Sequence, residues 1–215
     1  MPRQSRAILF DWDGTLLDSY PAGFEASRAV ARHFGIPFDR RRFLATYSPN
    51  WYESYRAVGL PEESWTRADA IWLETYSQQG IELYPFARAT LSTLAGHGYL
   101  LGLVTSGNRE RVIRELARFQ LEDAFCVLVC HEDSSQKKPH PEPLQIALEL
   151  IGRPPGETVY VGDRPEDILM GLAVGTYTVG VESSYGTRAD LERVAPNLLL
   201  PHAGHLPGHF GPLAD

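Results

Sequence analysis

Short apolar runs that end in polar residues alternate along this chain with stretches of helical length. "AILFD" (7–11), "LLGLVTS" (100–106) and "ETVYVGD" (157–163) share that form, and "FCVLVC" (125–130) and "TYTVGV" (176–181) are further strand candidates. Residues 86–97, 108–119, 141–151 and 164–174 carry helical patterns between them. Strands alternating with helices of about 10–15 residues point to a doubly wound, mostly parallel α/β sheet. In such sheets the ligand sits outside the carboxyl ends of the strands. The polar residues of the runs fall there: Asp11 and Asp13, Thr105 and Ser106, and Asp163.

The alternation breaks between residues 18 and 84, which read as helices only. "PAGFEASRAVARHFG" is one helix, stopped by Gly35 and Pro37, and a second runs from Pro61 to Gly80. The span is too long for one crossover and reads as a helical insertion in the position of a lid over the strand ends. This divides the chain into a core (1–17 and 85–200), a cap (18–84) and a tail (201–215). Of the insertion's aromatic residues, most are expected to form its own core. Arg41, Tyr47, Trp51 and Tyr55 are candidate substrate readers. The tail "PHAGHLPGHFGPLAD" is rich in Gly and Pro and is expected to be mobile. Its His202, His205 and His209 are read as incidental rather than as a metal site.

A net charge of −7 without a basic run argues against a nucleic-acid partner, so an anionic substrate would need a local cation or a metal. Cys126 and Cys130 stand four apart on one strand, too far for a disulfide, and read as small hydrophobes in a reducing compartment. No stretch has the length of a signal peptide or a membrane span, so the expected location is the cytoplasm. The expected assembly is a monomer or homodimer. The chain has twenty Lys and Arg residues, and its two lysines, Lys137 and Lys138, are adjacent in "SSQKKPHPEP". They read either as a solvated surface pair or as the site of a compact charge that reaches a phosphate or carboxylate.

In "FDWDGT" (10–15) two carboxylates, Asp11 and Asp13, close the first strand and precede Gly14, which lets the backbone turn or approach a ligand. Two close carboxylates repel, and a divalent cation resolves the conflict. A few oxygen ligands suit Mg²⁺, which keeps water and substrate phosphate in its shell. "VGDRPED" (161–167) brings Asp163 to another strand end as a third ligand, with Asp167 one helical turn further on, placed to orient a ligand or a lysine. "LVTSGN" (103–108) offers Thr105 to a phosphate oxygen, assisted by Ser106 and the neighbouring N–H groups at Gly107; the same residues also make an ordinary helix cap.

Taken together, and in this order, "DWDGT", Thr105, Lys138 in "KPHP" and "GDRPED" resemble the four motifs of the haloacid dehalogenase superfamily. The resemblance covers roughly residues 7–181, and the insertion after the first motif is similar to the four-helix cap of phosphoglycolate phosphatase-like members. It implies a Rossmann-like core and a Mg²⁺-dependent phosphatase acting on a small phosphorylated metabolite, phosphoglycolate-like or a sugar phosphate. Asp11 would be the nucleophile that forms an aspartyl phosphate. Asp13 would protonate the leaving alcohol and then activate water. Lys138 would hold the phosphate and screen the nucleophile. Mg²⁺ would be held by Asp11, the main-chain carbonyl of Asp13, and Asp163. Trp12 and Gly14 would offer backbone N–H groups, while Lys137 matches nothing.

Departures from sibling activities narrow this further. Haloacid dehalogenases lack an acid at the position of Asp13. Phosphonoacetaldehyde hydrolases need a cap lysine, and residues 18–84 contain none. β-Phosphoglucomutases carry a cap histidine where this chain has Gly23. A phosphotransferase of that kind, or a non-hydrolytic protein that binds a phosphorylated ligand, remains the alternative. Arg164 stands where relatives often have Ser, Ala or Thr.

Overall fold

The computed structural model describes residues 6–213. Two compact units emerge: the described residues up to Leu17 together with those from Leu83 onward, and Asp18–Glu82.

The first unit is the α/β sheet. Strand β1 (Ala7–Phe10) is followed by β2 (Leu17–Asp18), where the chain leaves for the helical unit. That unit holds α1 (Tyr20–His33), α2 (Arg40–Thr46), α3 (Trp51–Val58) and α4 (Trp65–Ser77). The chain returns through β3 (Glu82–Leu83), which pairs with β2. It continues as α5 (Ala87–Gly96), β4 (Leu100–Val104), α6 (Arg109–Arg118), β5 (Val127–Val129), α7 (Glu142–Ile151), β6 (Thr158–Gly162), α8 (Pro165–Val174) and β7 (Tyr177–Val181). Last come α9 (Arg188–Arg193), β8 (Leu198–Leu200) and α10 (Leu206–His209).

Six strands form one sheet in the order β5-β4-β1-β6-β7-β8, with every pairing parallel. Parallel strands covered on both faces must be apolar along their length, and all four residues of β1 are fully buried. Leu9 and Tyr160 of the central strands pack with Val104, Leu144, Leu148 and Met170 into one core cluster. The chain runs outward from β1 to β4 and β5, then crosses back to β6 on the other side. The carboxyl ends of β4, β1 and β6 therefore lie side by side at the reversal of strand order, where a crevice forms.

The helical unit is held by aromatic packing. Tyr52 stacks on Trp65 at 4.7 Å between ring centroids, and the Trp72 indole N–H donates to Ser27 Oγ at 3.2 Å. Two of the candidate readers belong to this packing. Trp51 packs against the cluster around Tyr55, and Tyr55 is buried with its hydroxyl donating to Asp69 Oδ1 at 3.0 Å. Tyr47 packs on Phe43 at 5.5 Å, and Arg41 is exposed. An aromatic residue in a small helical unit is needed for its core before it is available to a ligand.

The described part of the tail makes defined contacts. Ala203 and Leu206 are buried, His97 Nδ1 meets the Phe210 carbonyl at 2.8 Å, and the Leu213 N–H donates to the His97 carbonyl at 2.9 Å. Apolar residues spaced through the Gly/Pro-rich stretch give it a face that packs against α5. His202 lies flat on Phe86, with 4.4 Å between centroids, and its Nδ1 accepts the Gly204 N–H.

Candidate active site

The site is built at the ends of β1, β4 and β6 and in the loop before α7. After β1 the chain reverses tightly: the Trp12 carbonyl accepts the N–H groups of Thr15, Leu16 and Leu17 at 3.0–3.3 Å. Gly14 makes this turn with φ +87°, and a Cβ there would stand 2.4 Å from Asp163 Oδ2. Both features exclude a side chain. Gly14→Ala is accordingly expected to destabilise the protein by about 1–3 kcal/mol and to displace Asp163, read as a lower melting temperature and weakened metal binding.

Lys138 is fully enclosed, with 3% exposure, and its Nζ donates to Asp11 Oδ1 at 2.7 Å and to Asp167 Oδ1 at 2.8 Å. Burial opposes its charge, but Asp11 and Asp167 overcome that and hold the ammonium well above its usual range. Tyr160, buried beneath, donates its hydroxyl to Asp167 Oδ1 and to the Val104 carbonyl. Asp167 Oδ2 accepts the Arg164 N–H at 3.1 Å, so it both begins α8 and fixes the lysine. The Lys138–Pro139 bond is cis.

The neighbouring lysine has a structural place. Lys137 Nζ donates to the carbonyls of His131 and Ser134, tying together the loop that presents Lys138. The two adjacent lysines thus divide the work: one points inward to carboxylates, the other gathers the backbone that aims it.

Asp163 ends β6 and accepts hydrogen bonds from the Thr15 and Ser183 hydroxyls. These are neutral donors, and Arg164 offsets its charge only in part. Its carboxyl is pushed up to about 7, by burial first and by Asp167 beside it. Burial also raises Asp11 well above the carboxylate range, against the pull of Lys138. Oxygens of Asp11, Asp163 and Asp167 lie within 4.8 Å of one another, all three buried. Three buried carboxylates around one ammonium leave a surplus of negative charge, and an all-oxygen donor set with that surplus fits a hard divalent cation. Asp167 already serves Lys138, Tyr160 and Arg164, which leaves Asp11 and Asp163 as the carboxylates suited to the cation.

The Asp13 side chain lies outside that trio. Its carboxylate is gripped by the Arg111 guanidinium, Nη1 to Oδ1 at 3.0 Å and Nη2 to Oδ2 at 2.6 Å. Only its main-chain carbonyl is left as the expected ligand. Thr105 is buried and its Oγ1 accepts the Gly107 N–H at 3.0 Å, with Ser106 half-buried beside it. Trp12 is fully buried, and its indole N–H donates to Glu115 Oε2 at 2.7 Å. Arg164 reaches the Tyr185 carbonyl and lies 3.5 Å from Glu166, which gives the unusual cation a partner on each side. Arg111 and Glu115 went unnoticed in the sequence. Their i,i+4 spacing signals a helix-surface ion pair, and nothing local shows that it meets residues about a hundred positions earlier.

Comparison with known proteins agrees with this geometry. The profile of the haloacid dehalogenase-like hydrolases matches residues 8–181. A phosphoglycolate phosphatase of Yersinia pestis is 29% identical, over 94% of this chain and 91% of its own length. The pyrophosphatase PpaX of Bacillus pumilus is 32% identical over 90% of each chain. A solved structure, described as a predicted phosphoglycolate phosphatase from Haemophilus somnus, superposes with a TM-score of 0.86 at 21% identity, covering 98% of this chain and all of that one. The chain belongs to the haloacid dehalogenase-like hydrolases. Within that family it is a phosphatase, and such enzymes use a divalent metal.

Proposed function

We propose that the protein is a Mg²⁺-dependent phosphatase that cleaves a small phosphorylated metabolite, phosphoglycolate-like or a sugar phosphate, through an aspartyl phosphate on Asp11. The observation that carries this reading is the enclosed Lys138–Asp11 pair, 2.7 Å apart, beside two further buried carboxylates. A carboxylate held by a cation in a site with room for a metal is a usable nucleophile toward phosphorus.

The steps follow from the chain's own residues. An Asp11 oxygen forms a bond to phosphorus while the bond from phosphorus to the leaving oxygen breaks. Asp13 delivers a proton to that oxygen, and the alcohol departs. Asp13 then takes a proton from water as the water oxygen attacks phosphorus, and inorganic phosphate leaves Asp11 free again. Lys138, the Thr105 hydroxyl and the Trp12 N–H hold the phosphoryl oxygens, whereas the Gly14 N–H donates to the Leu17 carbonyl at 2.9 Å and the Gly107 N–H to Thr105 Oγ1. Bound Mg²⁺, held by Asp11, the Asp13 carbonyl and Asp163, supplies charge stabilisation to the transferring group. Two free cysteines, one exposed, suit the reducing cytoplasm. No helix among the described residues is long and apolar enough to cross a membrane.

The test is phosphate release from a panel of phosphomonoesters with and without Mg²⁺. One favoured substrate identifies the leaving group. The 32% identity to a pyrophosphatase makes inorganic pyrophosphate a second reading and a required member of the panel. Failure of all of them, with the metal present, would refute phosphatase action on small metabolites.

Metal binding has its own expected signature. A carboxyl raised to about 7 in the folded protein favours folding while protonated, so metal-free stability falls as pH rises from about 4 through about 7. A divalent cation removes that penalty. Mg²⁺ at roughly 100 times its Kd is expected to raise the melting temperature by about 5–10 °C at pH 8, and by much less at pH 5. Thermal denaturation at the two pH values checks this.

A further inference from the structure

Beside the motif residues lies a second buried charge network, and the family motifs do not account for it. Arg111 and Glu115 project from one face of α6, with side-chain exposures of 7% and 5%. Arg111 Nη1 meets Glu115 Oε1 at 3.1 Å, and Glu115 Oε2 accepts the Trp12 indole N–H at 2.7 Å. The other side of the guanidinium grips both oxygens of Asp13. The ring of contacts is closed: Trp12 and Asp13 from the turn after β1, Arg111 and Glu115 from the helix after β4.

Three features show that this arrangement is built. The Arg111–Asp13 pair is bidentate, the geometry in which a planar guanidinium fixes a carboxylate's orientation as well as its place. Glu115 is a buried acid, raised by burial first and drawn back by Arg111 and by the Trp12 indole N–H. Gly107 makes the room, since a Cβ there would stand 2.4 Å from Arg111 Nη2. Arginine has many rotamers, and holding one of them over Asp13 takes the Glu115 carboxylate, itself held by Trp12, and the room at Gly107.

We infer that Arg111 is a positioning residue for proton delivery: anchored by Glu115 and Trp12, it sets the orientation from which the Asp13 carboxyl reaches the leaving oxygen. This deepens the phosphatase reading and rests on it. As the bond from phosphorus to the leaving oxygen breaks, protonated Asp13 passes its proton to the departing alcohol, which leaves neutral, and Asp13 returns to the carboxylate that Arg111 grips in the structure. Misorienting Asp13 therefore penalises poor leaving groups, which need that proton, more than good ones, which do not.

The experiment compares kcat/KM for an alkyl phosphate and for p-nitrophenyl phosphate, with Mg²⁺ present, in wild type, Arg111→Met, Arg111→Lys and Glu115→Gln. For Arg111→Met the alkyl phosphate is expected to lose about 100-fold and the nitrophenyl ester less than about 10-fold. Inhibition by inorganic phosphate should stay within about twofold of wild type, since phosphate binding does not use the Asp13 side chain. Arg111→Lys, which keeps one donor and the charge, should recover part of the loss, and Glu115→Gln should reproduce a weaker version of it. If Arg111→Met does not fold, Arg111→Lys carries the same contrast. Equal losses for both esters, no loss, or a gain would overturn the positioning role while leaving the phosphatase reading intact. A wild type that turns over neither ester would overturn the reading beneath it.

Discussion

Asp11→Asn is expected to lower kcat by at least about 10⁴-fold while leaving the fold in place. Asparagine keeps the shape of the side chain and an oxygen at the position that accepts Lys138 Nζ at 2.7 Å. It cannot form an acyl phosphate. The substitution also removes one negative charge from a buried cluster that holds three carboxylates against one ammonium. Without metal, the variant should melt at or above the wild-type temperature, because the cost of burying the Asp11 charge, set first by desolvation and then by Asp167 and Asp163, is relieved. Lost activity with undiminished stability separates a chemical role from a structural one. Activity assays and metal-free melting curves on the same preparation make the comparison.

Lys138→Met should fail in the opposite manner, losing both activity and stability. The ammonium is 2% exposed at its side chain and is the cation that bonds Asp11 and Asp167 directly. Removing one partner of an enclosed ion pair leaves the other charges buried without compensation, at a cost of about 3–5 kcal/mol. Part of that loss should return when Mg²⁺ is added, because the metal neutralises Asp11. Turnover should not return, since nothing then replaces the point charge on the phosphate. The neighbour makes the control. Lys137→Met removes donors to two backbone carbonyls, worth about 1–2 kcal/mol, and acts on catalysis only through the loop. Chemical denaturation and steady-state rates on the two variants distinguish a lysine in the chemistry from a lysine in the scaffold.

The sheet was legible because parallel strands buried on both faces must be written as apolar runs. The five runs and the four helical stretches between them correspond to strands and helices of the structure to within two residues at their ends. β8 escaped because "LLL" is three residues long and follows Pro196 and Asn197, too short to show a period. β2 and β3 are two residues each and carry no periodic signal at all. The packing of the tail left little trace because Gly and Pro dominate its composition, while that packing depends on a few apolar side chains, Leu206 above all.

The site shows the same division. Asp11, Asp163 and Asp167 stand at strand ends or a helix start, where position in sequence implies position in space, and Lys138 lies in the loop just before α7. Arg111 and Glu115 sit within a helix and look like any surface ion pair until the turn after β1 is laid against them. In the helical unit, Tyr55 and Trp51 could be recognised as large aromatic residues. Whether such a ring faces a ligand or a neighbouring ring depends on helix packing, which the residue type does not encode. Lys137 is the clearest case: its partners are backbone carbonyls, and those leave no trace in side-chain identity.

The central claim is that phosphorus is transferred to Asp11. The most direct test is acid quenching of wild type and Asp11→Asn within the first turnover of a favoured substrate with Mg²⁺, followed by mass spectrometry of the peptides. The account predicts the mass of one phosphoryl group on the wild-type peptide that contains Asp11, lost on treatment with hydroxylamine and absent from the variant. Phosphate release by an Asp11→Asn protein at the wild-type rate, with no labelled peptide in either, would contradict it.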